Sequence, residues 1–123
     1  MRLHDAATML IALTGAATAT AKPVPPATPG GKPIDCIYLQ DIRETRVRDD
    51  STIDFYLNGG RTYRNTLPYK CSGLGFEQGF AYKTSINRLC AVDTITVIQQ
   101  GGGLSRGPTC GLGKFQPITG LPR

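Results

Sequence analysis

Of all the side chains in this sequence, the four cysteines Cys36, Cys71, Cys90 and Cys110 have the widest chemistry open to them. A thiolate can attack a carbonyl, ligate zinc or run a dithiol redox cycle. Their spacing argues against each of these, because no pair forms the C-x-x-C arrangement of a redox dithiol or a zinc knuckle. In a small exported domain the expected fate is two structural disulfides. Cys71–Cys90 with Cys36–Cys110 is the preferred pairing, since it staples the segments flanking Phe80–Thr84 and ties the first strand to the last. Cys36–Cys90 with Cys71–Cys110 competes closely with it.

Other reactive groups are scarce. The single histidine, His4, and both methionines, Met1 and Met9, fall within residues 1–21, and the chain has no tryptophan. That stretch has the layout of a secretory signal peptide. Arg2 supplies the charge, Ala6 through Leu13 the apolar run, and Ala19-Thr20-Ala21 the small-residue cleavage site, with Ala17-Thr18-Ala19 as the alternative. The apolar run is shorter than the roughly 20 residues of a spanning helix, so no transmembrane segment is expected in the mature chain. A chain beginning at Lys22 has neither imidazole nor thioether. Serine and cysteine triads, histidine zinc sites and methionine copper sites are thereby excluded. The sequence predicts no catalytic residue, no cofactor and no metal.

Carboxylates offer one further route to chemistry: a small hydrolase could use Asp49, Asp54 or Asp93. A domain this small seldom forms the cleft such a reaction needs. Asp49 to Asp54 also looks like a crude calcium loop, but it lacks the glycine and the distal glutamate, so it is read as a turn. Cys110-Gly111-Leu112-Gly113-Lys114-Phe115 approaches a phosphate loop. It has Pro108 where the first glycine belongs and Phe115 where a metal-binding hydroxyl belongs. Gly73 through Gly79 misses the dinucleotide fingerprint by one residue. Both are read as turns that glycine permits.

The elements that must carry these residues follow from alternation and punctuation. Residues 22–33 hold enough proline to predict an extended spacer that joins no sheet ladder. A single β-rich domain is expected over 34–119, with a tail at 120–123. Within it Ile37 and Leu39 alternate with polar neighbours, and a bulge near Gln40-Asp41 shifts the phase before Thr45 and Val47. Ile53, Phe55 and Leu57 share a face, and Asn58-Gly59-Gly60 is a hairpin turn into Arg61–Arg64. Later strands are predicted at Phe80–Thr84, Thr94–Gln99 and around Lys114–Pro117. A short helix is predicted at Ser85–Cys90, and a turn near Leu67–Leu74. Gly101 through Pro108 is read as a flexible loop. The fold class is mainly β (a β-rich α+β protein), as a small antiparallel sheet or partly open barrel with one or two short helices, stapled by disulfides.

One register can be derived. A three-residue turn at Asp49-Asp50-Ser51 sets Val47 opposite Ile53 and Thr45 opposite Phe55 on the buried side. Arg46 then faces Asp54, and Arg48 faces Thr52, on the outer side. A two-residue turn would mix the faces.

Charge completes the reading. Removing Arg2 and Asp5 with the signal leaves 13 basic and 8 acidic residues (14 minus 1 and 9 minus 1), still a net +5. Such a domain is drawn to anionic surfaces. Arg46, Arg48, Arg61 and Arg64, interleaved with Tyr56 and Tyr63, form the candidate binding face. The expected partner is a protein or an anionic envelope polymer, and nucleic acid is not expected. A third reading makes the Gly101–Pro108 loop the reactive segment of an inhibitor of a periplasmic enzyme.

From Cys36 through Pro117 the chain resembles a family of small exported proteins of Gram-negative bacteria, catalogued as a domain of unknown function. The likeness is carried by Val47-Arg48-Asp49-Asp50-Ser51-Thr52-Ile53, Tyr63-Arg64-Asn65-Thr66-Leu67, Cys71, Phe80-Ala81-Tyr82, Leu89 through Ile95 and Cys110 through Phe115. The resemblance implies a periplasmic or secreted location and intact disulfides. It implies no activity.

Overall fold

A computed structural model describes residues 23–101 and 103–121, so the expected signal peptide at 1–21 lies outside the described residues. The chain is mainly β, as its alternation predicts. In order it forms β1 (Thr28–Pro29), β2 (Cys36–Tyr38), β3 (Ile42–Asp49), β4 (Thr52–Leu57), β5 (Thr62–Thr66), α1 (Leu74–Glu77), β6 (Phe80–Tyr82), β7 (Arg88–Cys90), β8 (Thr94–Gln99), β9 (Ser105–Gly111) and β10 (Phe115–Thr119). Three antiparallel sheets result, with orders β1-β10-β5-β4-β3, β2-β7 and β6-β8-β9, and none closes into a barrel.

The five-stranded sheet positions the candidate site, and its register follows from which residues must be hidden. Val47 lies opposite Ile53, Thr45 opposite Phe55 and Arg46 opposite Asp54, as expected, but the turn is the two residues Asp50-Ser51 rather than three, and a bulge between Val47 and Asp49 keeps the faces in register. The next hairpin carries the rows onward, with Ile53 beside Asn65, Asp54 beside Arg64 and Phe55 beside Tyr63. Inward rows meet the other two sheets in one core. Phe55 packs edge-on against Phe115 at 5.3 Å and Phe80 at 6.4 Å between ring centres. Ile37, Leu74, Leu89, Ile95, Val97 and Leu112 complete this core around the disulfide-bonded Cys71.

Several local expectations are corrected. At Gln40-Asp41 there is a 3-10 turn, Leu39–Asp41, which moves the chain from the β2-β7 ribbon into the large sheet, and the ladder irregularity comes just after it, between Ile42 and Glu44. Ser85–Cys90 forms no helix. Leu89 is fully buried and Cys90 pairs with Cys36 across the ribbon, so tertiary pairing outweighs the Ser85 cap. The proline-rich stretch does enter a ladder: Thr28 and Pro29 pair with Thr119 and Ile118 at the sheet margin, where a missing proline N–H goes unneeded. The second half of the expected Gly101–Pro108 loop, Ser105–Pro108, is strand as well. Ser105 and Arg106 pair with Gln99 and Ile98, while Gly107 and Pro108 sit in a bulge opposite Val97.

The disulfides are Cys36–Cys90 and Cys71–Cys110. The preferred pairing fails because Cys36 and Cys90 are direct cross-strand partners, their Cα atoms 4.0 Å apart. They suit a non-hydrogen-bonded position, where side chains stand closest. Ala91 donates to the Asp35 carbonyl beside them, and the Cys90 N–H goes to the Asp93 carboxylate. Oxidised thiols fit a non-reducing, extracytoplasmic environment. Among the described residues no helix is long and apolar enough to cross a membrane.

Candidate functional site

Asp54 is the centre of the outer sheet face. It lies mid-strand on β4 with none of its surface exposed, and a buried carboxylate must be paired to persist. Arg64, its cross-strand neighbour on β5, grips it bidentately: Nε donates to Oδ1 at 2.8 Å and Nη2 to Oδ2 at 3.0 Å. Arg48 reaches the same carboxylate from β3, with Nε to Oδ2 at 2.8 Å, and its Nη2 donates to the Tyr56 hydroxyl at 2.9 Å. The register predicted Arg48 opposite Thr52. A bulge between Val47 and Asp49 instead puts Asp49 there and frees Arg48 to reach Asp54. Two guanidiniums around one carboxylate form a closed hydrogen-bonded unit. Asp54 raises the Arg64 pKa chiefly through that hydrogen bond, which favours the charged guanidinium.

Of the residues expected to form a binding face, Arg46, Arg48, Arg64 and Tyr56 do come together. Arg46 turns from Asp54 to Glu44, donating at 2.6 Å, and lies 5.1 Å from the Tyr56 ring centre. Glu44 raises the Arg46 pKa. Arg61 stands apart, 3.4 Å from Asp41 at the strand end. Tyr63 points the other way, half-buried against the core in the row of Phe55. Each of the four arginines therefore already faces a carboxylate of its own chain.

The carboxylates considered for hydrolysis are similarly engaged. Asp49 accepts the Ser51 N–H at 2.8 Å, holding the β3-β4 turn. Asp54 is locked by arginine, and Asp93 accepts the Cys90 N–H at 2.7 Å. The phosphate-loop lookalike has a structural explanation too. Fully buried Asn65 donates to the Gly113 carbonyl at 2.7 Å and accepts its N–H at 2.8 Å. Any Cβ at position 113 would collide with the Thr66 carbonyl, so glycine is required.

Among the described residues Lys32, Arg43, Lys83, Arg88 and Arg106 have no carboxylate within ion-pair distance. Two of these five lie close together in sequence: Lys83 and Arg88 flank the exposed segment joining β6 to β7. Arg88 pairs across the ribbon with Tyr38, which is 49% exposed, and Ile86 nearby is 51% exposed. The candidate face read from the sequence missed this surface. The signal was available: no acidic residue occurs between Glu77 and Asp93.

Comparison with known proteins adds no assignment: no family model, curated protein or solved structure matches the chain.

Proposed function

We propose that the protein is an exported, non-catalytic module of the bacterial envelope, periplasmic or secreted, that binds an anionic polymer through the β2-β7 ribbon and the segment leading into it. The reading rests on one observation. Lys83 and Arg88 are exposed on the segment leading from β6 into the ribbon, Arg88 lies across from the exposed Tyr38, and among the described residues neither has a carboxylate within ion-pair distance. Cations without an internal partner stay available to sulfate, phosphate or carboxylate groups, and aromatic and aliphatic neighbours add contact area. The resemblance of Cys36–Pro117 to exported bacterial proteins supplies the setting. The oxidised cysteines agree with it.

Retention on a sulfated polysaccharide resin tests the reading. The double variant Lys83→Gln/Arg88→Gln is expected to elute at clearly lower salt than the native domain, and Arg46→Gln/Arg61→Gln close to native. Equal loss from both variants would mean that only net charge matters, which would end the assignment. Capture of a stoichiometric protein on the ribbon, with no polymer retention, would replace the polymer with a protein partner.

A further inference from the structure

The turn between β3 and β4 and the short helix α1 enclose a cleft of about 610 Å³, within the range of ligand sites. Its walls are tied together before any ligand arrives. Asp50 accepts the Gly75 N–H through Oδ1 at 2.7 Å, and its carbonyl accepts the Cys71 N–H at 2.8 Å. The Cys71–Cys110 disulfide fixes the same wall to β9.

These bonds leave a defined set of polar atoms facing the space. Asp49 uses Oδ1 on Ser51, and Asp50 uses Oδ1 on Gly75. Among the described residues the second oxygen of each carboxylate accepts no hydrogen bond, and Lys70 Nζ stands 3.9 Å from Asp50 Oδ2, beyond hydrogen-bond range. Gln78 donates through Nε2 to the Gly75 carbonyl at 2.7 Å, which leaves its oxygen as an acceptor. Ser51 and Lys70 add donors. On the rim Phe76 is 86% exposed, although Leu74 two residues earlier is fully buried.

The charges on this lining cancel, Asp49 and Asp50 against Arg48 and Lys70, in a chain that carries +5. A strongly charged ligand finds no net attraction here. A polyol does better, because each hydroxyl both donates to a carboxylate and accepts from an ammonium or hydroxyl. A pyranose also has an apolar C–H face to lay on an exposed ring. We infer that this cleft is a binding site for a neutral saccharide, with one sugar ring on Phe76 and adjacent hydroxyls on Asp49 and Asp50. It is independent of the cationic ribbon.

The test is titration of the full mature domain with neutral tetrasaccharides (cellotetraose, maltotetraose, chitotetraose), read by backbone amide NMR shifts. At least one sugar is expected to move the Ser51, Gly75 and Phe76 amides saturably. Phe76→Ala, an exposed position whose loss should leave the fold intact, should weaken binding about tenfold. It should leave retention on the sulfated resin unchanged. No shift with any sugar at millimolar concentration would overturn the inference, as would undiminished affinity in Phe76→Ala. Saturable shifts with a lysine pentapeptide but with no sugar would also overturn it, assigning the carboxylates to a cationic peptide.

Discussion

On the outer face of the five-stranded sheet Arg46, Arg48 and Arg64 all grip carboxylates, whereas Lys83, just after β6, and Arg88, the first residue of β7, grip none among the described residues. The two regions hold similar residue types in opposite roles. In the first, antiparallel pairing sets a row Arg46, Asp54, Arg64 side by side. In the second, no acid occurs between Glu77 and Asp93, and among the described residues folding brings none within ion-pair distance. Whether a cation holds a fold together or reaches for a ligand is thus decided by its cross-strand neighbours rather than by its count.

That contrast can be broken most forcefully at its centre. Asp54→Ala leaves two guanidiniums facing each other with little solvent, 16% and 15% exposed. A loss of about 3–5 kcal/mol in chemical denaturation is expected, and a change under 1 kcal/mol would show that the cluster is ornamental. Next in size is the ribbon, two strands of three residues each, too short to persist unaided. Cys36→Ala/Cys90→Ala should cost about 2–4 kcal/mol and lower polymer retention along with it. Asn65→Ala sharpens the comparison with an uncharged case. It strands the N–H and carbonyl of Gly113, for about 1–3 kcal/mol by denaturant titration. Lys83→Gln/Arg88→Gln should sit within about 0.5 kcal/mol of native stability, reversing the pattern seen at Asp54.

The smallest effect is a pH response. Asp54 raises the Arg64 pKa, so the stability it confers is complete below the ordinary arginine range and is lost only as pH rises through the higher folded value. The difference in melting temperature between native protein and Arg64→Gln should therefore hold steady from neutral to mildly alkaline pH. A difference that collapses near neutrality would place the interaction on another group.

Much of this architecture was legible in the residues. Val47, Ile53 and Phe55 fixed the first hairpin because a one-residue slip would expose all of them. The same reasoning carried through Asn58-Gly59-Gly60 would have set Arg64 beside Asp54 and revealed the cluster. Other features depend on contacts distant in the chain. Leu89 looks helical among its neighbours and becomes strand only because Cys36 and Ile37 lie across from it. The disulfide pairing and the role of Gly113 have the same origin. The exposure of Phe76 had no local signal at all, since a lone phenylalanine among glycines reads equally well as core.

The short strand β1 has a bearing on how the protein should be handled. Thr28 and Pro29 cap the free margin of β10, and Pro23 and Pro25 lie beside Arg46, Val47 and Arg48 at the opposite margin. A version trimmed to start at residue 34 would uncover the end of β10 around Ile118 and Thr119, leaving strand edge open to zip onto its twin.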